Sequence, residues 1–145
     1  MTPAAATPDV QGARLQLVAL PGIPRVEPGA DLAALIASGL EAAGERLQPG
    51  DILVVAQKIV SKAENRYVEL AGVTPSARAL EIACTVAKDP RIVEVILCES
   101  RAVLRQVPGI LIVEHRLGFV MANAGVDASN IRHEDAEAVE RVLLL

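Results

Sequence analysis

Aromatic side chains are almost missing from this sequence: Tyr67 and Phe119 are the only two, and tryptophan does not occur. A surface that binds single-stranded nucleic acid needs several stacking faces, so that class is excluded. Excess positive charge is lacking too. With a net charge of −4 the chain offers no basic stripe for duplex phosphates, so no nucleic-acid partner is expected. Neither absence argues against a small basic pocket. Hydrophobic residues make up 52% of the chain, yet no run approaches the roughly 20 apolar residues that cross a bilayer. The apolar content therefore reads as core, with no membrane partner. At 145 residues it is enough for one domain.

Cysteine spacing excludes further classes. Cys84 and Cys98 form no C-x-x-C pair and have no histidine pair near them, so neither a disulfide framework nor structural zinc is expected. Both read as reduced, buried small hydrophobes inside helices. Met1 to Ala13 is rich in Ala, Pro and Thr but has no basic start and no continuous apolar stretch. It reads as a flexible tail, not a signal peptide, and the chain as cytoplasmic.

What is present begins with a strand pattern, Leu15 to Leu20, closed by Pro21-Gly22. The next nine residues, Pro21 to Gly29, hold three prolines and two glycines and form a stiff loop. Asp31 can cap a helix that puts Leu32, Leu35, Ile36, Leu40, Ala43 and Leu47 on one face. The turn signal Pro49-Gly50-Asp51 launches the apolar run Ile52 to Ala56, which reads as a buried strand. A polar, cationic segment with Gln57, Lys58, Ser61, Lys62 and Arg66 follows at once. A strand delivering amides, a hydroxyl and lysines at its carboxyl end suits an anion, above all a phosphate. No Walker pattern G-x-x-x-x-G-K-[ST] occurs.

A further strand is expected over Tyr67 to Leu70. Thr74-Pro75 signals a helix to about Lys88, with Leu80, Ile82, Ala83, Val86 and Ala87 inward. Asp89-Pro90 signals another through Val93, Ile96 and Leu97. Arg101 to Val107 and Ile110 to His115 read as strands hinged at Pro108-Gly109, and Arg116-Leu117-Gly118 turns into Phe119 to Ala122. This order gives an α+β fold, a mixed sheet with flanking helices. The apolar end Arg141 to Leu145 reads as a core strand that exposes an edge or an apolar patch.

A second candidate site runs from Met121 to Asn130. Asn123, Asp127, Ser129 and Asn130 offer the oxygen ligands that magnesium and manganese prefer. The same residue types also serve as turn formers and caps. Lys58 and Lys62, four apart, are either a solvated helix face or a pair awaiting an anion. Ser61 can be a helix-surface residue. Glu114-His115-Arg116 reads as a solvated hairpin end or an acid/base cluster, and His133 beside Glu134-Asp135 as a solvated turn.

Five segments stand in order along the chain. They are Gly22-Ile-Pro-Arg-Val-Glu-Pro-Gly29; Asp31-Leu32; Gly50-Asp-Ile-Leu-Val-Val-Ala-Gln-Lys-Ile-Val-Ser-Lys-Ala-Glu-Asn-Arg66; His115-Arg-Leu-Gly-Phe119; and Ala122-Asn-Ala-Gly-Val-Asp-Ala-Ser-Asn130. Together they resemble the coenzyme F-420-0:L-glutamate ligases, the gamma-glutamyl ligases of deazaflavin coenzyme biosynthesis. The resemblance implies phosphoryl transfer from GTP to the terminal carboxylate of F-420-0. Attack by the amine of L-glutamate on the acyl phosphate then gives an amide, GDP and phosphate. It implies GTP as a substrate, magnesium or manganese, a monovalent cation, and a homodimer.

By position the resemblance makes Ile23, Pro24, Arg25 and Val26 a nucleotide-contact loop, adds Gln57, Lys62 and Asn130 as nucleotide contacts, and makes Asp127 a metal ligand. No catalytic side chain is assigned. Asn65 stands where the family often has glycine, and asparagine also tolerates the left-handed backbone. The family's second cluster, a Thr-Asp segment with more metal ligands and a glycine-rich nucleotide loop, would lie beyond Leu145, as would the flavin domain of some members. The expected fold is therefore gamma-glutamyl ligase-like over residues 14–145 and incomplete at the C-terminus. Two other readings stay open. One is a catalytically incomplete nucleotide-binding or dimerisation module. The other is a ligase acting on a different carboxylate acceptor, such as a pterin.

Overall fold

A computed structural model describes residues 14–127 and 141–145. The element order is α1 (Leu32–Ala43), α2 (Gln57–Ala63), β1 (Tyr67–Glu69), a 3-10 turn (Leu70–Gly72), α3 (Ala77–Val86), α4 (Pro90–Cys98), β2 (Ser100–Val107), β3 (Ile110–His115), β4 (Val120–Ala122), a second 3-10 turn (Asn123–Gly125) and β5 (Arg141–Leu143). This is the expected α+β class. Among the described residues β2, β3 and β4 form one sheet in that order, β1 and β5 form a second, and every pairing is antiparallel.

The core lies where α3 and α4 cover the β2–β3 hairpin. Strand β3 alternates, with Leu111, Val113 and His115 buried on the face that meets the helices. Ile82 and Val86 of α3 and Val93 and Ile96 of α4 close over it, joined by Val126 and Val142. Each such side chain contributes about 1.5–3 kcal/mol on burial. Pro108 and Gly109 join β2 to β3, and Gly109 takes φ +80, as the third residue of a type II turn requires. Its amide donates to the Val86 carbonyl at 2.9 Å, which docks the hairpin tip on the end of α3.

Several helix signals hold. Asp31 caps α1 by accepting from the Ala34 amide at 3.0 Å, and Asp89 caps α4 by accepting from the Arg91 amide at 2.8 Å, with Pro90 at the first helical position. Other expectations shift. The cap of α3 is Ser76, not Thr74, because the Ser76 hydroxyl reaches the Ala79 amide while the Ser76 amide is held by the Glu94 carboxylate. The helix therefore starts later and its buried face is Ala79, Ile82, Ala83 and Val86; Leu80 and Ala87 are exposed. Leu47 is likewise exposed, since α1 ends at Gly44. Cys84 and Cys98 are exposed too, on the outer faces of α3 and α4. Burial and the Glu94 carboxylate nonetheless push the Cys98 thiol above its ordinary pKa.

Two strand expectations fail. Residues 14–20 and 51–56 are not paired strands. Ile52 and Val54 are 86% and 84% exposed, and Leu15 and Leu17 are as open. A strand needs a neighbour for its amides and carbonyls, and none of the described residues supplies one. Helix α1 covers only the other side of the first segment: at Gly39 a side chain would come 2.7 Å from the Ile23 methyl and 3.4 Å from Leu20. The end of the chain behaves in the opposite way. Val142 and Leu143 are buried rather than exposed, because β5 pairs with β1 (Tyr67 opposite Leu143) and exchanges two hydrogen bonds with the Asp127 backbone on its other side.

Candidate functional site

Helix α2 organises the residues singled out in the sequence. It starts directly after the extended Ala56 and ends where Asn65 turns left-handed at φ +54. The Asn65 amide then donates to the Lys62 carbonyl and the Arg66 amide to the Ser61 carbonyl, at 3.0 and 2.9 Å. These bonds satisfy the last turn as a glycine would, so asparagine at this position keeps the geometry. Ser61 is buried, contrary to its reading as a surface residue. Its hydroxyl accepts from the Gln57 side-chain amide at 2.6 Å, and the same Nε2 donates to the Leu144 carbonyl at 3.2 Å. Ser61 and Gln57 thus pin α2 to β5.

Lys58, on the next position, forms an ion pair with the Asp127 carboxylate. This joins the two stretches that the sequence offered separately as an anion site and a metal site. Asp127 is held at its backbone by Leu143, with N–H to O distances of 3.0 and 2.9 Å in the two directions. Lys62 lies one turn further along α2, half-buried, and none of the described carboxylates pairs with it. The expected pair of lysines is therefore asymmetric. One is committed to a carboxylate, and the other pairs with none among the described residues.

The proline-rich loop meets the far end of the same helix. The Gly29 amide donates to the Ala63 carbonyl at 2.8 Å, and Val26 is buried as the loop's anchor. Ile23, Pro24 and Arg25 are exposed, with Arg25 Nε 3.2 Å from the Glu27 carboxylate. Asn130, Ser129 and the His133 group lie outside the described residues. Asn123, at the head of the Asp127 loop, holds φ +54 and has a buried Oδ1 without a hydrogen-bond partner. Asn123 and Asp127 lie four residues apart, and both carry oxygen donors of the kind that hard cations take. Among the described residues no three His, Cys, Asp or Glu side chains gather as a metal set. Asp127 thus offers a single carboxylate, which is paired with Lys58.

Sequence reasoning missed Glu99. Its carboxylate is buried at the C-terminus of α4, where Arg66 Nη2 lies 3.2 Å from Oε2 and Arg116 Nη2 pairs with Oε1. His115 Nε2 is 3.5 Å from Oε2 and makes no hydrogen bond, while its Nδ1 accepts from the Leu117 amide at 3.0 Å. The hairpin-end reading is thus corrected: His115 is buried and Arg116 points back to Glu99, while Glu114 faces Arg101 at 3.8 Å. Nothing in the local pattern Cys98-Glu99-Ser100 signals this role. The visible hint was that Arg66, His115 and Arg116 all sit within recognised segments and need a shared counter-charge. Two shallow clefts lie along α3, α4 and β2, lined by Arg78, Glu94, Arg101 and Val103 among others, and no predicted site residue borders them.

Comparison with known proteins bears on this arrangement directly. The sequence model of the family described as "F420-0:Gamma-glutamyl ligase" matches residues 22–144. The chain belongs to that family. Its relatives include the coenzyme F420:L-glutamate ligase of Methanothermobacter thermautotrophicus, 46% identical over 117 residues, which are 81% of this chain and 46% of the relative. The enzyme of the same name from Methanopyrus kandleri is 47% identical over 106 residues, 73% of this chain and 40% of that protein. The Archaeoglobus fulgidus protein is 41% identical over 118 residues, 81% and 45% of the two chains. The chain thus spans less than half the length of these gamma-glutamyl ligases. The matched stretch holds the 22–29 loop, all of α2 and Asp127.

Proposed function

We propose that this chain carries the phosphate-binding and first metal-ligand part of a GTP-dependent ligase that adds L-glutamate to coenzyme F-420-0 through an acyl phosphate. The observation that carries this reading is helix α2. It carries a half-buried Lys62 that pairs with none of the described carboxylates, joins Asp127 through Lys58, and meets the 22–29 loop at its end, in a chain of this family.

Each residue has a defined part. Phosphoryl transfer needs positive charge placed against the transferring group, and the Lys62 ammonium supplies it to the phosphate oxygens. Gln57 commits its Nε2 to Ser61 and Leu144, and its Oε1 remains an acceptor for the nucleotide. Ile23, Pro24, Arg25 and Val26 line the nucleotide, with Val26 as the buried anchor, and Asn130 adds a further contact. Asp127 would hold the magnesium or manganese ion, whose chemistry there is to offset charge on the phosphoryl group. F-420-0 and L-glutamate are the small-molecule partners. A homodimer would cover the open apolar segments 14–20 and 51–56. Among the described residues no helix is long and apolar enough to cross a membrane.

Calorimetric titration with GTP in the presence of manganese tests the assignment. Lys62→Ala is expected to weaken affinity about tenfold or more, the scale of a lost charged hydrogen bond. Unchanged affinity would refute it. A second reading, a nucleotide-binding or dimerising module without turnover, is favoured by the lack, among the described residues, of a group of three His, Cys, Asp or Glu side chains that could hold a metal ion. Glutamate addition to F-420-0 by the purified chain separates the two, since the module binds GTP and forms no product. Product from a pterin carboxylate in place of F-420-0 would identify the third reading.

A further inference from the structure

The ion pair between Lys58 and Asp127 sits where the proposed function needs a divalent cation. We infer that Lys58 is a resident cation that competes with the metal for the Asp127 carboxylate, so that metal entry moves Lys58 off Asp127 and onto the phosphate side of α2. The inference rests on the reading of Asp127 as a metal ligand.

Three observations support it. First, the two side chains are 33% and 29% exposed, so an ion can reach the carboxylate without unfolding anything. Second, the partners differ in freedom. Asp127 is fixed through both backbone hydrogen bonds to Leu143, whereas the lysine ammonium hangs on a flexible four-carbon stem. Third, Lys58 and Lys62 are one helical turn apart, so a displaced Lys58 ammonium comes to lie beside that of Lys62.

Charge then explains what the exchange does. With Lys58 on Asp127 the two charges offset each other, and the ammonium of Lys58 is turned to the carboxylate and not to an anion. A divalent ion on Asp127 leaves that locus positive and repels Lys58, so two ammonium groups and the ion's net charge face the nucleotide together. Like charges at this spacing are unfavourable unless an anion lies between them, so the exchange is completed by the triphosphate. Lys58 is in these terms a positioning residue. It holds the carboxylate in place before the metal arrives, and it couples metal binding to nucleotide binding.

Manganese titration of the nucleotide-free chain, read by the electron paramagnetic resonance signal of the unbound ion, tests the competition without any activity measurement. Lys58→Met removes the competitor while keeping the stem's bulk, and manganese affinity is expected to rise about three- to tenfold. Lys58→Arg keeps the charge and adds a bidentate grip on the carboxylate, and affinity is expected to stay at or fall below that of the unaltered chain. Circular dichroism melting verifies that both variants are folded. Equal or weaker manganese binding by folded Lys58→Met overturns the inference. If Asp127→Asn abolishes manganese binding in that same series, the metal-ligand reading survives and only the competition is wrong. If Asp127→Asn binds manganese as the unaltered chain does, the metal-ligand reading itself fails, and this inference with it.

Discussion

Replacing Glu99 with alanine isolates the one buried charge cluster among the described residues. The carboxylate side chain is 8% exposed, against 33% for Arg66 and 56% for Arg116. Breaking a fully buried pair typically costs about 3–5 kcal/mol, because the remaining charge is stranded. Here that full cost does not apply. Arg116 can turn into water, and the loss of its pair counts about 0–1 kcal/mol. Arg66 is less able to rehydrate, and His115 is left facing the vacated space. The expected destabilisation of Glu99→Ala is therefore about 2–3 kcal/mol, and Glu99→Gln, which keeps shape and one acceptor, should cost about half as much. The effect should spread to the second sheet, because the Arg66 carbonyl accepts from the Leu144 amide at 3.0 Å where β5 runs beside β1. Urea unfolding followed by circular dichroism measures the stability, and amide exchange at Leu144 measures the spread. A Glu99→Ala loss below about 0.5 kcal/mol, the range of an ordinary surface site, would refute the reasoning. So would a loss no larger than that of Arg116→Ala alone.

Other outcomes follow from single features. Ala87 ends α3 at φ +53, where a side chain is strained, and it is exposed; Ala87→Gly should raise stability by about 0.5–1 kcal/mol in the same urea assay, and a loss would count against the strain argument. The Arg91 guanidinium beside Asp89 holds its carboxyl below the ordinary value, as contacts from Ser76 do for Glu94. These groups stabilise above the unfolded carboxylate pKa of about 4, and that contribution is lost as pH falls through their lowered folded values. The melting-temperature gap between the unaltered chain and Asp89→Asn should accordingly shrink from pH 5 to pH 3, whereas a constant gap would contradict the assignment. Leu17→Glu with Val54→Glu changes two open positions that make no core contact. If these segments form the proposed homodimer interface, sedimentation should show the double variant shifted to monomer with its melting little altered; a dimer of unchanged strength would remove them from the interface.

The parts that the sequence by itself determined are those whose physics is local. Asp31 and Asp89-Pro90 cap their helices because a side-chain oxygen three or two residues away from an unpaired amide needs no distant partner. The Pro108-Gly109 hairpin and the left-handed Asn65 are set by neighbours in the same way. Residue type and order were also enough to place Gln57, Lys58, Lys62 and Asp127 in two candidate sites. Tertiary structure alone decided what those residues face. Lys58 meets Asp127, Gln57 meets Leu144, and Arg66, His115 and Arg116 meet Glu99, because charge and hydrogen-bond partners are assigned by proximity in space, across separations that no periodicity encodes. The same reason divides the strands. Ile52 to Ala56 and Arg141 to Leu143 look alike as apolar runs, but only the second finds edges to pair with among the described residues. A strand's apolar content is written in its own residues, while its hydrogen bonds belong to its neighbours.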